Sequence, residues 1–443
     1  MDESLHALNQ EFDYQQQQES LTPDFTYTVS CTTFNILAPI YKRISGESCE
    51  SEFGESWRNR NENILDRLLQ LKSSIICLQE FWVENKELVE MYEKRLGDAG
   101  YLTYKLSRTN NRGDGLLTAV HQSKFHILNY RELLFNDIAD RVAQILHVEL
   151  HSYLPHSTNI VKEALIVNTH LIFPHDIQCC FVRLQQVYKI LQYIKSYSDK
   201  NALQSLPVIL CGDLNGSKKG HVYKFLQSQG FVSSYDIAHH YADDTEDCQK
   251  WISHRNHRGN VCGVDFIWLL NPQKFQKPLK ESFEEALLGN MKNLLQKVFT
   301  EADLIPEIIK TKGSCMTYFD FSQALTELGI TGHPHGCTSD EDMKYLWECL
   351  DSDGDGIADI MQFERSWPLC NSPGHIAGDE EGNRREMDGE SKADACGGTI
   401  GFVVKKATLF PSEAKRGLWP ENYTLSDHAH LIVDFVPLPM NYA

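Results

Sequence analysis

No apolar run in the 443 residues approaches the ~18–20 residues that a membrane-spanning helix needs, so a transmembrane anchor is not expected. Positive charge is scarce. Lys and Arg number 42 against 61 Asp and Glu, a formal charge of −19, which excludes the broad electrostatic footprint of a duplex-binding protein. An anionic substrate must then be received by metal ions and a local basic lining, against the field of the whole chain. Cys-x-x-Cys pairs are absent. The thirteen cysteines are scattered and odd in number, a usage that fits reduced thiols inside a cell and not a disulfide framework. Met1 to Gln18 has neither a cationic start nor an apolar segment, so no secretory signal is expected there. These absences point to an intracellular protein, cytoplasmic or nuclear.

What is present begins with apolar strands that end in polar groups. Val208-Ile209-Leu210 after Pro207 reads as a short buried strand. It stops at Gly212 and delivers Asp213 and Asn215, which point the same way if the chain stays extended. A lone acid there is most simply a turn residue. The pattern recurs, however: apolar strands run up to Asn35, Glu80 and His170, while Asp265 opens one and Asp427-His428 precede another. A polar group placed repeatedly at the edge of an apolar strand has no packing rationale. It has a chemical one, since phosphoester cleavage needs carboxylates for a hard cation and a group to activate water. It also needs an imidazole whose charge is stabilised.

Composition divides the chain into five parts. Residues 1–26 read as a disordered tail containing four consecutive glutamines. Residues 27–273 alternate strands with helices, as in an α/β domain. Residues 274–370 become helical and acidic, 371–398 form a Gly-rich linker, and 399–443 return to strands that complete the first domain.

The segments Thr33-Phe34-Asn35, Leu78-Gln79-Glu80, Asn168-Thr169-His170, Gly212-Asp213-Leu214-Asn215, Val264-Asp265-Phe266 and Ser426-Asp427-His428 resemble, in order and rough spacing, the endonuclease/exonuclease/phosphatase superfamily. Phe34-Asn35-Ile36-Leu37, Val167-Asn168-Thr169-His170-Leu171 and Leu409-Phe410-Pro411-Ser412 are most similar to carbon-catabolite-repressor-type deadenylases and nocturnin. The resemblance implies a four-layer α/β/β/α sandwich of two mixed sheets and a phosphodiesterase dependent on Mg²⁺ or Mn²⁺. It implies Asn35, Glu80 and Asp427 as metal ligands and Asp213 with Asn215 as the water-activating pair. Asp265 would support His428, and His170 would donate to the scissile phosphate. Gly216-Ser217-Lys218-Lys219 departs from the deadenylases, which tend to carry Ser-x-Pro, and puts adenine-specific recognition in doubt. His254, Arg255 and His257 lie in a basic loop that is either solvated or lines the substrate channel.

The helical stretch carries a second signal. Asp351, Asp353, Asp355 and Asp359 stand at positions 1, 3, 5 and 9 of a twelve-residue loop, with Gly356 at position 6 and the Ile357 carbonyl at 7. This is the calcium loop of an EF-hand, except that Gln362 replaces the bidentate glutamate at position 12. Ile309 to Asp320 has Met316 and Asp320 at the eighth and twelfth places of a degenerate partner loop. An all-α EF-hand pair holding weakly bound Ca²⁺ is expected, and the combination resembles plant-type calcium-binding members of the superfamily. The leading expectation is an RNA 3′–5′ exonuclease acting on single strands, with calcium and a regulatory partner acting through the insertion. Two alternatives stand beside it. One is a phosphatase or phosphodiesterase for a nucleotide cofactor, inositol phosphate or phospholipid head group. The other is a calcium-binding interaction protein with an inert catalytic domain.

Overall fold

Period-two alternation decides which way each strand faces. Val29 and Cys31 of the first strand join Ile75 and Cys77 in one buried cluster, while Phe34 joins Ile76 and Leu78 in another. One face of this sheet therefore meets a second sheet and the other meets helices. The computed structural model describes residues 27–136, 138–151, 160–175, 179–203, 206–241, 251–256, 259–272, 276–300, 315–327, 344, 347, 348, 351, 354–359, 398–411 and 423–440. The expected tail, all but the last residue of the linker, Asp353, Gln362 and His257 lie outside them.

In chain order the elements begin with Val29–Asn35 (β1), Arg43–Ser45 (β2), Ser48–Cys49 (β3), Gly54–Leu71 (α1), Ile75–Phe81 (β4), Lys86–Asp98 (α2), Tyr101–Ser107 (β5) and Gly115–His121 (β6). Phe125–Leu134 (β7), Val142–Leu150 (β8), Ile160–Val161 (β9), Glu163–His170 (β10), Cys179–Lys200 (α3), Val208–Asp213 (β11), His221–Ser228 (α4), Val232–Ser233 (β12) and Ser234–His239 (α5) follow. Next come His254–Arg255 (β13), Val261–Cys262 (β14), Asp265–Leu270 (β15), Leu279–Thr300 (α6), Cys315–Thr317 (β16) and Tyr318–Glu327 (α7). Ile357–Asp359 (β17), Gly398–Phe410 (β18) and His430–Met440 (β19) complete the set.

Two mixed sheets result, ordered β5-β6-β4-β1-β19-β18-β9 and β12-β15-β11-β10-β8-β7. β1 runs parallel to β4 and β10 to β11, and their other neighbours are antiparallel. Helix α1 buries Trp57, Ile64, Leu65 and Leu68, spaced for one helical face. They pack with Leu88, Tyr92 and Leu96 of α2 on the first sheet, each buried Leu or Ile contributing roughly 1.5–3 kcal/mol. Asn85 caps α2 by accepting from Leu88 N at 2.9 Å. On the second sheet, Phe181, Leu184, Val187 and Ile190 of α3 join the larger cluster.

Residues 274–370 depart from a purely helical expectation. β16 and β17 form a two-stranded antiparallel ladder, with Met316 opposite Ala358. Three residues per strand are too few to leave a periodic signal in sequence. No helix among the described residues is long and apolar enough to cross a membrane.

Candidate active site

One edge of the two sheets collects the polar groups. The parallel strands reach it with their C-terminal ends, bringing Asn35, Glu80, His170 and Asp213. The antiparallel strands reach it with their beginnings, bringing Asp114, Arg141, Asp265 and His428. His170 lies opposite Asp213 and Asp213 opposite Asp265 in the ladders. Gly212 permits this spacing: its φ is +147°, and a Cβ there would meet Thr169 O at 1.9 Å. Glu80, Arg141, His170, Asp213 and His428 line a cleft of about 490 Å³, within the range of small-ligand sites, while Asn35, Asp114 and Asp265 are buried behind it.

Asp213 is central. Its Oδ1 accepts from Asn215 N at 2.8 Å, its Oδ2 accepts from Asn35 Nδ2 at 3.1 Å, and His170 Nε2 is 3.4 Å away. Burial, with Asp265 nearby, pushes its carboxyl up to about 6 against the opposing charge of His428. Asp265 Oδ2 lies 2.9 Å from His428 Nδ1 and accepts from Ser253 Oγ at 2.6 Å. Burial opposes charging His428, yet the charge and hydrogen bond of Asp265, with Asp213 and Asp427 beyond, hold the imidazole well above its usual range. The pairing with Asp265 thus favours the cationic ring, which directs Nε2 toward Asp213 at 3.8 Å.

The second imidazole is tuned the other way. Burial and the guanidinium groups of Arg141 and Arg108 hold His170 well below the usual histidine range. Arg141 Nη1 is 2.9 Å from His170 Nδ1. Arginine can only donate, so Nδ1 accepts and the ring proton sits on Nε2, toward Asp213. Asn215 Nδ2 lies 3.0 Å from the same Nε2; both donate in this tautomer, so the Asn215 amide is held instead by Leu171 O, which accepts from Nδ2 at 3.0 Å, and its backbone takes a left-handed φ of 49°. Two histidines in one cleft thus carry different charges, each set by its neighbour.

Glu80 enters through a bulge. The β4–β6 register shifts between Gln79 and Phe81, and Glu80 has a φ of 54°, which takes it out of the ladder. Burial and the charges of Asp427 and Asp114 push its carboxyl up to about 7. Asn35 Nδ2 donates to Glu80 Oε1 and to Asp213 Oδ2, both at 3.1 Å, while its Oδ1 accepts from Leu37 N. In this arrangement Asn35 ties two carboxylates together and turns its nitrogen to them. Glu80, Asp213 and Asp427 offer only oxygen, and the charge of Asp427 already raises Glu80, a repulsion that a hard divalent cation would relieve, so the donor set fits Mg²⁺ or Mn²⁺.

Several residues hold the site without entering it. Arg60 pairs with Glu50 at 2.6 Å, both buried, and donates to Ile36 O, Leu37 O and Leu425 O. It thereby fastens the loop after Asn35 to the loop before Asp427. Ser426 Oγ donates to Asn35 O at 2.7 Å. Below the edge, Gln79 Nε2 donates to Asn168 Oδ1 at 2.8 Å, and Asn168 Nδ2 to Thr118 Oγ1 at 3.1 Å. Gln79 and Asn168 are thus a fully paired polar seam between the sheets, which adds specificity to their packing.

The basic wall of the cleft is built from Arg108, Arg112 and Arg141. Arg108 and Arg112 share Asp140, and Arg108 also reaches Asp114 at 3.1 Å. Sequence reasoning looked to residues 254–257 for this wall. His254 does reach the site, stacked on His428 with centroids 4.1 Å apart. Burial and the His428 cation push it down to about 4. Arg255 donates its backbone N–H to Asp427 O, and its side chain is exposed and does not line the cleft. Lys218 turns inward: it is buried, pairs with Asp236 Oδ1 at 2.7 Å, and shares that carboxylate with Tyr223. The departure at Gly216–Lys219 is in this respect a packing feature. Arg141 precedes its strand, as His428 does, but stands in no motif, so only the antiparallel register, which brings a strand's beginning to the edge that a parallel strand's end reaches, reveals it.

In the second loop, Gly356 N donates to Asp351 Oδ2 at 3.0 Å and Ile357 N to Asp355 Oδ1 at 2.8 Å. Asp351 Oδ1 is buried and has no hydrogen-bond partner among the described residues. In the first loop, Asp320 Oδ2 accepts from Thr317 N at 3.1 Å and Thr317 Oγ1 at 2.7 Å. Trp347 packs on Phe321 with ring centroids 5.6 Å apart.

Comparison with known proteins follows the same lines. The profile of the Endonuclease/Exonuclease/phosphatase family matches residues 32–355. An uncharacterized calcium-binding protein of Arabidopsis thaliana is 51% identical over 423 residues, covering 93% of this chain and 85% of the relative. Carbon catabolite repressor protein 4 homolog 1, also of Arabidopsis thaliana, is 26% identical over 221 residues, or 43% of this chain and 35% of that protein. This chain therefore spans about a third of that relative's length. The human nocturnin catalytic domain with bound sulfate is 21% identical with a TM-score of 0.41, covering 55% of this chain and 81% of that one.

Proposed function

The chain belongs to the Endonuclease/Exonuclease/phosphatase family, and we propose that it is a divalent-cation-dependent phosphodiesterase, an RNA 3′–5′ exonuclease of the deadenylase-like group. The observation that carries this reading is Asp213 set between a cationic His428, backed by Asp265, and a neutral His170, backed by Arg141. Glu80 and Asp427, with Asp213, would hold the cation, which when bound supplies charge to the phosphoryl oxygens. Asp213 takes the proton of the attacking water, and Asn215 positions that water. His170 donates Nε2–H to a phosphoryl oxygen, and the His428–Asp265 pair offsets negative charge as it develops. The resemblance of Phe34-Asn35-Ile36-Leu37 and Val167-Asn168-Thr169-His170-Leu171 to carbon-catabolite-repressor-type deadenylases favours RNA as substrate, and the fold is proposed to be a four-layer sandwich.

A small phosphoester is the second reading. The arginine wall and a cleft of about 490 Å³ favour it, because both suit a compact anion. A panel of single-stranded oligoribonucleotides, single-stranded DNA, dinucleotide cofactors and inositol phosphates, assayed with Mg²⁺, decides between them. Stepwise shortening of RNA from its 3′ end supports the first reading, and turnover of small molecules alone replaces it.

We also propose that residues 351–362 bind calcium within an EF-hand pair. The eighth residues of the two loops face each other in the β16–β17 ladder, and the unpartnered Asp351 Oδ1 has the chemistry of a ligand awaiting a hard ion. Regulation would run through α6, which packs on α3 and α4, the helices that follow the His170 and Asn215 loops. Hydrolysis measured across calcium concentrations at fixed Mg²⁺ tests this, and a flat response refutes it.

A further inference from the structure

Three thiols converge beneath the catalytic edge. Cys31 of β1, Cys77 of β4 and Cys211 of β11 are each fully buried, and their sulfurs lie within 4.8 Å of one another. The Cys31 and Cys211 sulfurs are 3.3 Å apart across the gap between the sheets. Two thiols come from one sheet and one from the other. Each sits a few residues before a group of the site: Cys31 before Asn35, Cys77 before Glu80, Cys211 before Asp213. A buried cysteine is ordinarily a small apolar filler, but filling a core does not require three sulfurs to meet at one point.

We propose that Cys31, Cys77 and Cys211 form a site for a trivalent thiophilic centre of the arsenite class, bound through three sulfur bonds. Charge selects the valence. Three thiolates around a monovalent ion leave two negative charges and around a divalent ion one, and residual charge is costly where nothing is exposed to water. Around a trivalent centre the complex is neutral. Geometry agrees. With bonds of about 2.3 Å, the usual zinc–thiolate length, a planar trigonal ion spreads its sulfurs to about 4.0 Å, whereas a pyramidal centre with near-right angles brings them to about 3.3 Å. The Cys31–Cys211 separation of 3.3 Å matches the second of these, and Cys77 lies within 4.8 Å of both.

The binding step balances without a redox partner. Arsenous acid, As(OH)₃, meets three thiols; three As–O bonds break and three As–S bonds form. Each thiol proton leaves with one hydroxyl as water, giving As(SR)₃ and three waters. Arsenic stays trivalent throughout, and a neutral molecule replaces a neutral molecule.

The test uses the full chain reduced with a phosphine, incubated with sodium arsenite, passed through gel filtration and read by native mass spectrometry. One arsenic per chain, with loss of three protons, is expected. Cys31→Ala, Cys77→Ala and Cys211→Ala should each reduce retention at least tenfold, while Cys179→Ala should retain it. Phenylarsine oxide, which needs two thiols, should still bind the three single variants, showing that the remaining pair is reachable in a folded chain. Failure of the unaltered chain to retain arsenic overturns the proposal, as does retention unchanged in the three variants. Tight binding of copper(I) or zinc by the same cysteines with arsenite excluded overturns the trivalent assignment.

Discussion

Arg141 Nη1 lies 2.9 Å from His170 Nδ1, and this contact fixes both the charge and the tautomer of a histidine that faces Asp213. Removing the guanidinium removes the positive charge that disfavours protonation, so the His170 titration should move upward. Arg141→Ala is therefore expected to lower cation-dependent turnover by about 10²-fold and to shift the acid limb of the rate profile to higher pH. Imidazole NMR reads the same shift directly. An unmoved His170 titration would show that Arg141 does not tune it.

Asp213→Asn and His428→Ala should each cost about 10²–10⁴ in turnover, with melting curves close to the parent. Asp265→Asn should fall in the same range, because His428 then loses the charge that holds it cationic. Single-turnover cleavage of a labelled phosphodiester is the measurement, and undiminished rates in any of the three would remove that residue from the reaction.

Cation binding should depend on pH through Glu80. Its folded value of about 7 lies above the ~4.3 of an unperturbed glutamate. Protonation thus stabilises the metal-free fold fully below about 4, and that stabilisation is lost as pH rises through about 7. The increase in melting temperature on adding Mg²⁺ should accordingly grow from pH 5 to pH 8. In Glu80→Gln the growth should shrink to the part that Asp213, at about 6, still supplies; growth equal to the parent's would place the cation elsewhere.

Arg60→Ala leaves the buried Glu50 with Lys42 as its remaining cation, at 3.1 Å, and frees three backbone carbonyls. A loss of about 1.5–3 kcal/mol is expected, measured by urea unfolding. A change under 1 kcal/mol would mean that the two loops are held by other contacts.

Asp351→Ala should abolish calcium binding by the second loop, whereas Gln362→Glu, which restores the bidentate carboxylate, should tighten it by about tenfold or more. Calorimetry with the full chain decides. Equal affinity in the parent and Gln362→Glu would show that position 12 does not ligate.

The sheets were legible because their buried strands are short apolar runs ended by Gly, Pro or a polar residue, as at Val208–Asp213. The groups at strand ends, from Asn35 to Asp213, could be read for the same reason. Asp114 and Arg141 could not: unlike Asp427 and His428, which also precede a strand, they stand in no motif, and only the antiparallel pairing of β6 and β8 brings that end to the site. Nor does sequence separate Lys218, folded inward onto Asp236, from a lysine that meets a phosphate. Gln79 and Asn168 read as motif letters without a task, because their hydrogen bonds cross between sheets. Such pairings depend on register, which no single strand encodes.

Phe283 stacks on Tyr188 with centroids 4.2 Å apart, Leu287 is buried, and Ser282 meets Ser228. The first half of α6 therefore belongs to the hydrolase core, although composition assigns it to the calcium-loop insertion. Excising the insertion where its composition begins would tear out a piece of that core and bare Tyr188 and Phe225 to water. A chain cut back to the α/β core must keep α6 at least through Asn290, since residues 282–290 belong to that core and not to the loops that follow.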